Sequence, residues 1–366
     1  MTERKADDDR LEQLRREIDD IDDRIVDLLE RRAQTVSQVG EVKRAAGLPM
    51  HDPEREQRIL DRLQSQLGAD ASHIFPRTSV RSVFREIISA CLSTQQQLTV
   101  AYFGPPGTFT HMAAQQAFGL AANYVQATNI PGVFDAVSRD NAAYGVAPIE
   151  NSTEGSVNLT LDRLLETELL IRSELVLDVS QCLLGLHDDL GRIARVFSHP
   201  QALAQCRAWL AENLPHAQLV VSPSTAAAAR EACADGAAAA VGSRLAGELN
   251  GLLVLREGIQ DRSENVTRFV VLAKTDAPRT GHDKTSFVFA TRHERGALRK
   301  ALEILEQESL NLTRIESRPR RGKLWQYVFF ADIEGHRADP EVARALERLD
   351  EHSGVVKILG SYPAAG

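Results

Sequence analysis

From residue 8 to residue 46 the apolar positions fall at alternating spacings of three and four: Leu11, Leu14, Ile18, Ile21, Ile25 and Leu28. That is a helical seam of the heptad kind. The stretch holds one glycine, Gly40, and no proline. It predicts one uninterrupted helix, roughly 55 Å long at about 1.5 Å per residue. Such a rod outruns the width of a small domain, so a partner chain is the natural cover for its apolar stripe. Gly47-Leu48-Pro49 ends it. Asp52-Pro53 then reads as a cap with proline in the first turn of a second helix, which runs to residues 67–68. A third helix is expected over residues 77–97.

Beyond residue 97 the period changes. Apolar strand patterns at 98–103, 144–149, 195–197, 218–221, 237–241 and 269–273 alternate with helical stretches, which implies α/β architecture with mostly parallel strands. Ligands in such folds bind at the carboxyl ends of the strands. The region is long enough for two lobes and a cleft. Residues 275–283 are polar, with proline and glycine, and read as a linker. A strand (285–291), helix (296–308), two strands (312–317, 324–333), helix (340–352) and strand (355–359) follow. That is the βαββαβ order of a ferredoxin-like α+β module. The expected division is therefore 1–97, 98–275 and 284–362.

Composition narrows the function classes. The chain has 366 residues, 43% hydrophobic and 26% charged, with a net charge of -8. No basic stripe supports nucleic-acid binding. Four cysteines (Cys91, Cys182, Cys206, Cys233) are widely spaced, which suits a reducing, cytoplasmic setting and argues against a disulfide framework or zinc site. The histidines form no metal-binding spacing, and no metal or organic cofactor is expected. A charged start argues against a signal peptide. No apolar run is long enough to span a bilayer.

Two places carry candidate chemistry. The seam position after Leu28 should be apolar but is Arg32. A charge there needs a partner or a ligand. Lys43 lies about three turns on, on the same face, so the two cations can converge on one anion. A solvated basic face fits the same residues. Arg15 lies about 25 Å back along the axis and reaches that point only from an antiparallel partner helix. Cys91 and Gln95 are one turn apart on the third helix and share a face. The second place is the stretch 144–157, where an apolar strand breaks into Glu150-Asn151-Ser152-Thr153-Glu154-Gly155-Ser156 before a helix. Polar side chains and unpaired helix N–H groups there suit an anion, although a capped helix with a Ser/Thr turn uses the same residues. Thr267 alone reads as a β-branched strand residue. Adjacent Ser198 and His199 do not make a nucleophile pair, because neighbours rarely share a triad.

The first ninety-odd residues resemble the all-helical chorismate mutase domain at the N-terminus of bacterial P-proteins. The likeness rests on Arg15, Glu30-Arg31-Arg32, Val39-Gly40, Lys43, Asp52, Arg55-Glu56 and Thr94-Gln95-Gln96. It implies an intertwined homodimer or higher homo-oligomer. Arg32, Lys43 and a trans Arg15 would hold the carboxylates of chorismate. Asp52, Arg55 and Glu56 would fix its hydroxyl end, and Gln95 with Lys43 would bond the ether oxygen. Cys91 stands where some relatives have serine, and Gln95 where some have glutamate.

The central segment resembles prephenate dehydratase, a two-lobed fold of the periplasmic-binding-protein kind. The motifs are Gly104 to Thr110, Gly145 to Val157, Ser198-His199-Pro200-Gln201 and Glu264-Asn265-Val266-Thr267-Arg268-Phe269; Pro106 replaces a common glutamate. The likeness makes Thr267 the essential acid, with Glu150, Asn151, Ser198 and Gln205 positioning prephenate or tuning that hydroxyl. Arg268 is a candidate to neutralise a carboxylate, with strand alternation against it.

The C-terminal module resembles the ACT domain through Gly296-Ala297-Leu298, Asn311-Leu312 and Glu316-Ser317-Arg318-Pro319. That implies feedback by phenylalanine, although Arg295 and Ser309-Leu310 depart from the usual pattern. Two rivals to a bifunctional enzyme remain: a dehydratase whose helices only dimerise, and a non-catalytic amino-acid-binding regulator.

Overall fold

The computed structural model describes residues 2–48, 50–66, 74–262, 264–291, 294–319, 327–353 and 355–364. The chain divides into two compact units, residues 1–98 with 118–123, and residues 99–117 with 124–366.

The first unit is helical: α1 (Thr2–Ala45), α2 (Pro53–Gln66) and α3 (Arg77–Ser93). Gly47, at φ +66°, takes the left-handed turn that stops α1. Asp52 Oδ1 caps α2 by accepting the Arg55 N–H at 3.0 Å. Leu60, Val80, Ile88 and Cys91 form its small buried interior. The α1 seam is not covered among the described residues: Leu11, Leu14, Ile18, Ile21, Ile25 and Leu28 are all exposed. The third helix is shorter than expected, because the chain turns at Thr94 to enter the first strand.

In the second unit the first lobe holds β1 (Thr99–Phe103), α4 (Phe109–Phe118), β2 (Asn123–Ala127), α5 (Ile130–Ser138), β3 (Tyr144–Asn151), β4 (Gly155–Ser156), α6 (Asn158–Glu166) and β5 (Leu170–Asp178). The second lobe holds β6 (Cys182–Gly185), β7 (Arg195–Ser198), α7 (Pro200–Gln205), α8 (Arg207–Asn213), β8 (Gln218–Val221), α9 (Thr225–Cys233), β9 (Ala238–Gly242), α10 (Arg244–Asn250) and β10 (Leu253–Arg256). Then β11 (Val266–Ala273) returns to the first lobe. The first sheet runs β2-β1-β3-β11-β5 with β4 on β3, and the second runs β10-β6-β9-β7-β8. Pairs β1–β3, β7–β8 and β7–β9 are parallel. The pairs made by β11, β6 and β10 are antiparallel, so the mostly parallel expectation is corrected there. The returning strand enters its sheet from the other lobe and runs against its neighbours.

The last module holds β12 (Asp283–Ala290), α11 (Ala297–Gln307), β13 (Leu312–Pro319), β14 (Tyr327–Glu334), α12 (Pro340–His352) and β15 (Val355–Pro363), in sheet order β13-β14-β12-β15. The expected start of β14, at residues 324–326, lies outside the described residues. One face of this sheet, with Phe287, Phe289, Ala331 and Ile333, packs on α11 and α12. The other face sends Val288, Ala290, Val328, Phe330, Leu359 and Tyr362 into the same core as Val133, Phe134, Leu161, Ile171 and Val270 of the first lobe. Strand alternation puts consecutive residues into two different cores.

Candidate active sites

Thr267 of β11 pairs with Asn151 of β3 across the sheet, with 8% of its surface exposed. Asn151 Nδ2 donates to Thr267 Oγ1 at 2.8 Å and to Asn265 Oδ1 at 2.9 Å. Asn151 Oδ1 accepts the backbone N–H groups of Thr153 at 2.9 Å and Glu154 at 3.1 Å. Those two donors settle which way the amide is turned, since only its oxygen accepts them. Thr267 Oγ1 is therefore an acceptor in this pair. Its own hydrogen has no acceptor among the described residues and is free to be given to a ligand. An N–H directed at the oxygen also favours negative charge there, which makes the hydroxyl a better acid.

The amide group extends across to the second lobe. Asn265 Nδ2 donates to Gln205 Oε1 at 3.1 Å, and Gln181 Nε2 donates to the same oxygen at 3.4 Å. Asn265 and Gln181 are 4% and 3% exposed, so this chain of amides is largely shielded from water. Gln181 Oε1 is buried without a hydrogen-bond partner among the described residues. Sequence reasoning found Thr267, Asn151 and Gln205 and missed Asn265 and Gln181 as members of the group. Asn265 lies two residues before Thr267 in an extended segment, which puts both on one side.

Two expected members stand apart. Ser198 is fully buried, and its hydroxyl donates to the Val241 carbonyl at 2.6 Å. Its proton is committed inside the second lobe. His199 caps α7, its Nδ1 accepting the Gln201 N–H at 3.4 Å. Glu150 points through the opposite face of the sheet from Asn151 and meets Arg314 Nε at 3.0 Å. Arg268 leaves by that same face, pairing with Glu174 at 2.6 Å and Asp332 at 2.7 Å. Burial opposes its charge, but Tyr362, Asp332 and Glu174 outweigh that and hold its pKa above the ordinary value.

The loop over residues 104–110 touches the second lobe. Ser243 Oγ donates to the Gly107 carbonyl at 2.5 Å. Gly107 has φ +88°, and a Cβ there would sit 2.9 Å from Ala246 Cα, so the approach requires glycine.

In the helical unit, Arg32 of α1 reaches the Ile87 carbonyl of α3 at 3.5 Å, and Lys43 Nζ reaches the Met50 carbonyl at 3.2 Å. Both are half-buried, and neither has a carboxylate partner among the described residues. Gln95 Nε2 donates to the Val36 carbonyl of α1, with its side chain packed on Gly40. Arg32 and Gln95 thus bridge α1 and α3, Lys43 bonds the turn that follows α1, and Cys91 is buried on α3. Glu56 pairs with His51 at 3.3 Å; Asp52 is taken by its capping bond, and Arg55 is exposed. Arg15 is exposed and touches only Glu12, at 3.4 Å, among the described residues.

In the last module an open groove of ≈ 720 Å³ is lined by Leu298, Leu302, Leu310 and Leu312 among others. Gly296 and Ala297 sit at the start of α11 beside it. Asn311 Nδ2 donates to Glu334 Oε1 at 2.9 Å. Glu316 and Arg318 turn instead to the first lobe: Glu316 pairs with Arg314 and accepts from Ser156, and Arg318 pairs with Asp162 at 3.1 Å. Ser317 and Pro319 are exposed. Among the described residues no cluster of three or more His, Cys, Asp or Glu side chains is arranged to hold a metal, and no helix is long and apolar enough to cross a membrane.

Fold and site together define a class: a helical unit joined to a two-lobed α/β domain of the periplasmic-binding-protein kind, with a ferredoxin-like ACT module packed on one lobe. Family models match in the same order: chorismate mutase type II over residues 14–96, prephenate dehydratase over 100–277 and the ACT domain over 287–351. A bifunctional chorismate mutase/prephenate dehydratase of Aquifex aeolicus is 45% identical over 355 residues, covering 97% of this chain and 98% of its own length. A prephenate dehydratase from Arthrobacter aurescens, solved in complex with L-Phe, is 38% identical with a TM-score of 0.67, covering 73% of this chain and 90% of its own. A structure described as a quorum quenching acylase is 34% identical with the same TM-score of 0.67, covering 73% of this chain and 98% of its own. The chain belongs to the bifunctional chorismate mutase/prephenate dehydratase family, and both rivals raised by the sequence, a dehydratase alone and a non-catalytic regulator, give way.

Proposed function

We propose that this chain rearranges chorismate to prephenate at the α1–α3 seam and converts prephenate to phenylpyruvate at Thr267. The observation that carries the second step is the turned Asn151 amide, which leaves the Thr267 hydroxyl hydrogen available. Thr267 gives that proton to the C4 hydroxyl of prephenate, and the C–O bond breaks to release water. The ring carboxylate leaves as CO₂, and the electron pair of its C–C bond completes the aromatic ring. Asn151 steadies the threonine oxygen while its proton is away, and solvent restores the proton. Asn265, Gln205 and Gln181 hold Asn151 in place and link the step to the position of the second lobe.

The mutase step is pericyclic and needs no nucleophile. Two half-buried cations without a carboxylate partner among the described residues suit a dicarboxylate. Arg32 and Lys43 take its carboxylates with Arg15 from a partner subunit, while Gln95 and Lys43 bond the ether oxygen. Asp52, Arg55 and Glu56 hold the hydroxyl end, and Cys91 packs beneath. The exposed α1 seam supports a homodimer. Phenylalanine is the proposed effector, bound at the groove beside Gly296, Ala297, Leu298, Asn311 and Leu312. The free cysteines fit a cytoplasmic enzyme.

Reciprocal variants test both steps. Thr267→Ala is expected to lower prephenate turnover by about a hundredfold or more, the scale of losing a general acid, and to leave chorismate rearrangement near normal. Arg32→Ala is expected to do the reverse. Parallel loss of both activities in either variant would overturn the assignment of steps to sites.

A further inference from the structure

Along β11 and β3 the pair next to Thr267–Asn151 is Arg268 opposite Glu150. Alternation sends the second pair out of the back of the sheet, where it meets the ACT module. Arg268 donates to Glu174, to Asp332 and, at 3.0 Å, to Tyr362 Oη. The side chains of Glu174 and Asp332 are 1% and 4% exposed, so this end is fixed. Glu150 is held by Arg314 Nε at 3.0 Å, and Arg314 Nη2 also donates to Ser156 Oγ at 2.7 Å. Arg314 shares itself between two carboxylates, Glu150 of the first lobe and Glu316 of its own strand.

The other end of β13 lines the effector groove. Leu312 faces that groove and pairs with Ile333; Arg314 pairs with Asp332, the very next residue of β14. The ladder is therefore bulged at Thr313, whose Oγ1 donates to the Asp332 carbonyl at 3.1 Å. A bulge re-aims the chain, so Leu312 points to the groove and Arg314 to the lobe with one residue between them.

We propose that Arg314 is the coupling residue by which an amino-acid effector at the ACT groove acts on the dehydratase site. Shifting β13 at Leu312 moves Arg314 off Glu150 toward Glu316. Glu150, next to Asn151, is left with only its 3.8 Å contact to Arg268 Nη1, and the Asn151–Thr267 contact changes. The proposal rests on the dehydratase role given to Thr267 above.

Arg314→Met in the full chain tests it, with prephenate turnover, its inhibition by phenylalanine, and phenylalanine binding by calorimetry measured on one preparation. Binding is expected to persist while the inhibition at saturating phenylalanine weakens about fivefold or more, the lower end of ordinary coupling. Arg314→Lys, which keeps the charge, is expected to restore part of it. Full inhibition in Arg314→Met, or loss of inhibition explained wholly by loss of binding, would overturn the proposal. Glu150→Gln removes the other end of the pair without changing its shape. If Arg314→Met does not fold, the same uncoupling is expected from Glu150→Gln, and unaltered inhibition there would be equally fatal. The parent protein's own turnover of prephenate, and its loss in Thr267→Ala, tests the underlying reading separately.

Discussion

His111 sits behind the residue 104–110 loop, stacked on Tyr102 with ring centroids 4.6 Å apart, and its Nδ1 accepts the Gly107 N–H at 3.2 Å. It is 7% exposed, and burial lowers its pKa from the ordinary 6.5. The unfolded chain therefore binds more protons than the folded one in the window below 6.5, so stability falls as pH drops through that window. Thermal melts taken from about pH 7.5 down to about pH 5 should lose midpoint, and His111→Phe should flatten that slope. An unchanged slope would mean that other groups carry the acid sensitivity. At this scale the sequence was legible where a residue type is unusual for its place, as with Arg32 in an apolar seam. It was less legible for Glu150, grouped with Asn151 by adjacency. Neighbours on a strand face opposite ways, and which one faces the cleft is settled by what lies behind the sheet.

Elements with strong periods were the easiest to read. The α1 seam gave a long helix because its spacing is regular and nothing breaks it, and the last module's helices and strands fell in the expected order. Strands β2, β5, β6 and β10 escaped, along with helix α5. Strand β5 runs LIRSELVLD, with charged residues inside it. One of those charges has a tertiary reason: Glu174 binds Arg268 and Lys284. A strand stabilised by ion pairs to distant elements has no local apolar alternation to announce it. The antiparallel return of β11 was likewise invisible, because pairing direction depends on where the chain comes back from.

At the scale of the whole second unit, the ACT module is fused to the first lobe through a common core rather than hung from a linker. Lys357 adds to this, donating to the Leu165 and Thr167 carbonyls at the end of α6. Ending the chain after Thr275 would strip that core of Val288, Phe330, Leu359 and Tyr362. Burying such side chains is worth about 1.5–3 kcal/mol each, so the dehydratase unfolding midpoint in urea or heat should drop clearly, while chorismate rearrangement is kept. A truncated protein that melts like the parent would show that the shared core contributes little.

The sequence by itself determined the order of the three parts and the helical seam with its misplaced cation, and it singled out Thr267 and Asn151 only through the resemblance to prephenate dehydratase. The order and the seam follow from period and residue type, which are local properties. Only the tertiary structure decided that the Asn151 amide turns its nitrogen to Thr267, that Asn265 and Gln181 complete the group, and that Ser198 and Glu150 do not. The direction of a side chain and the partners of a charge depend on elements far apart in the chain, whose meeting no local pattern records.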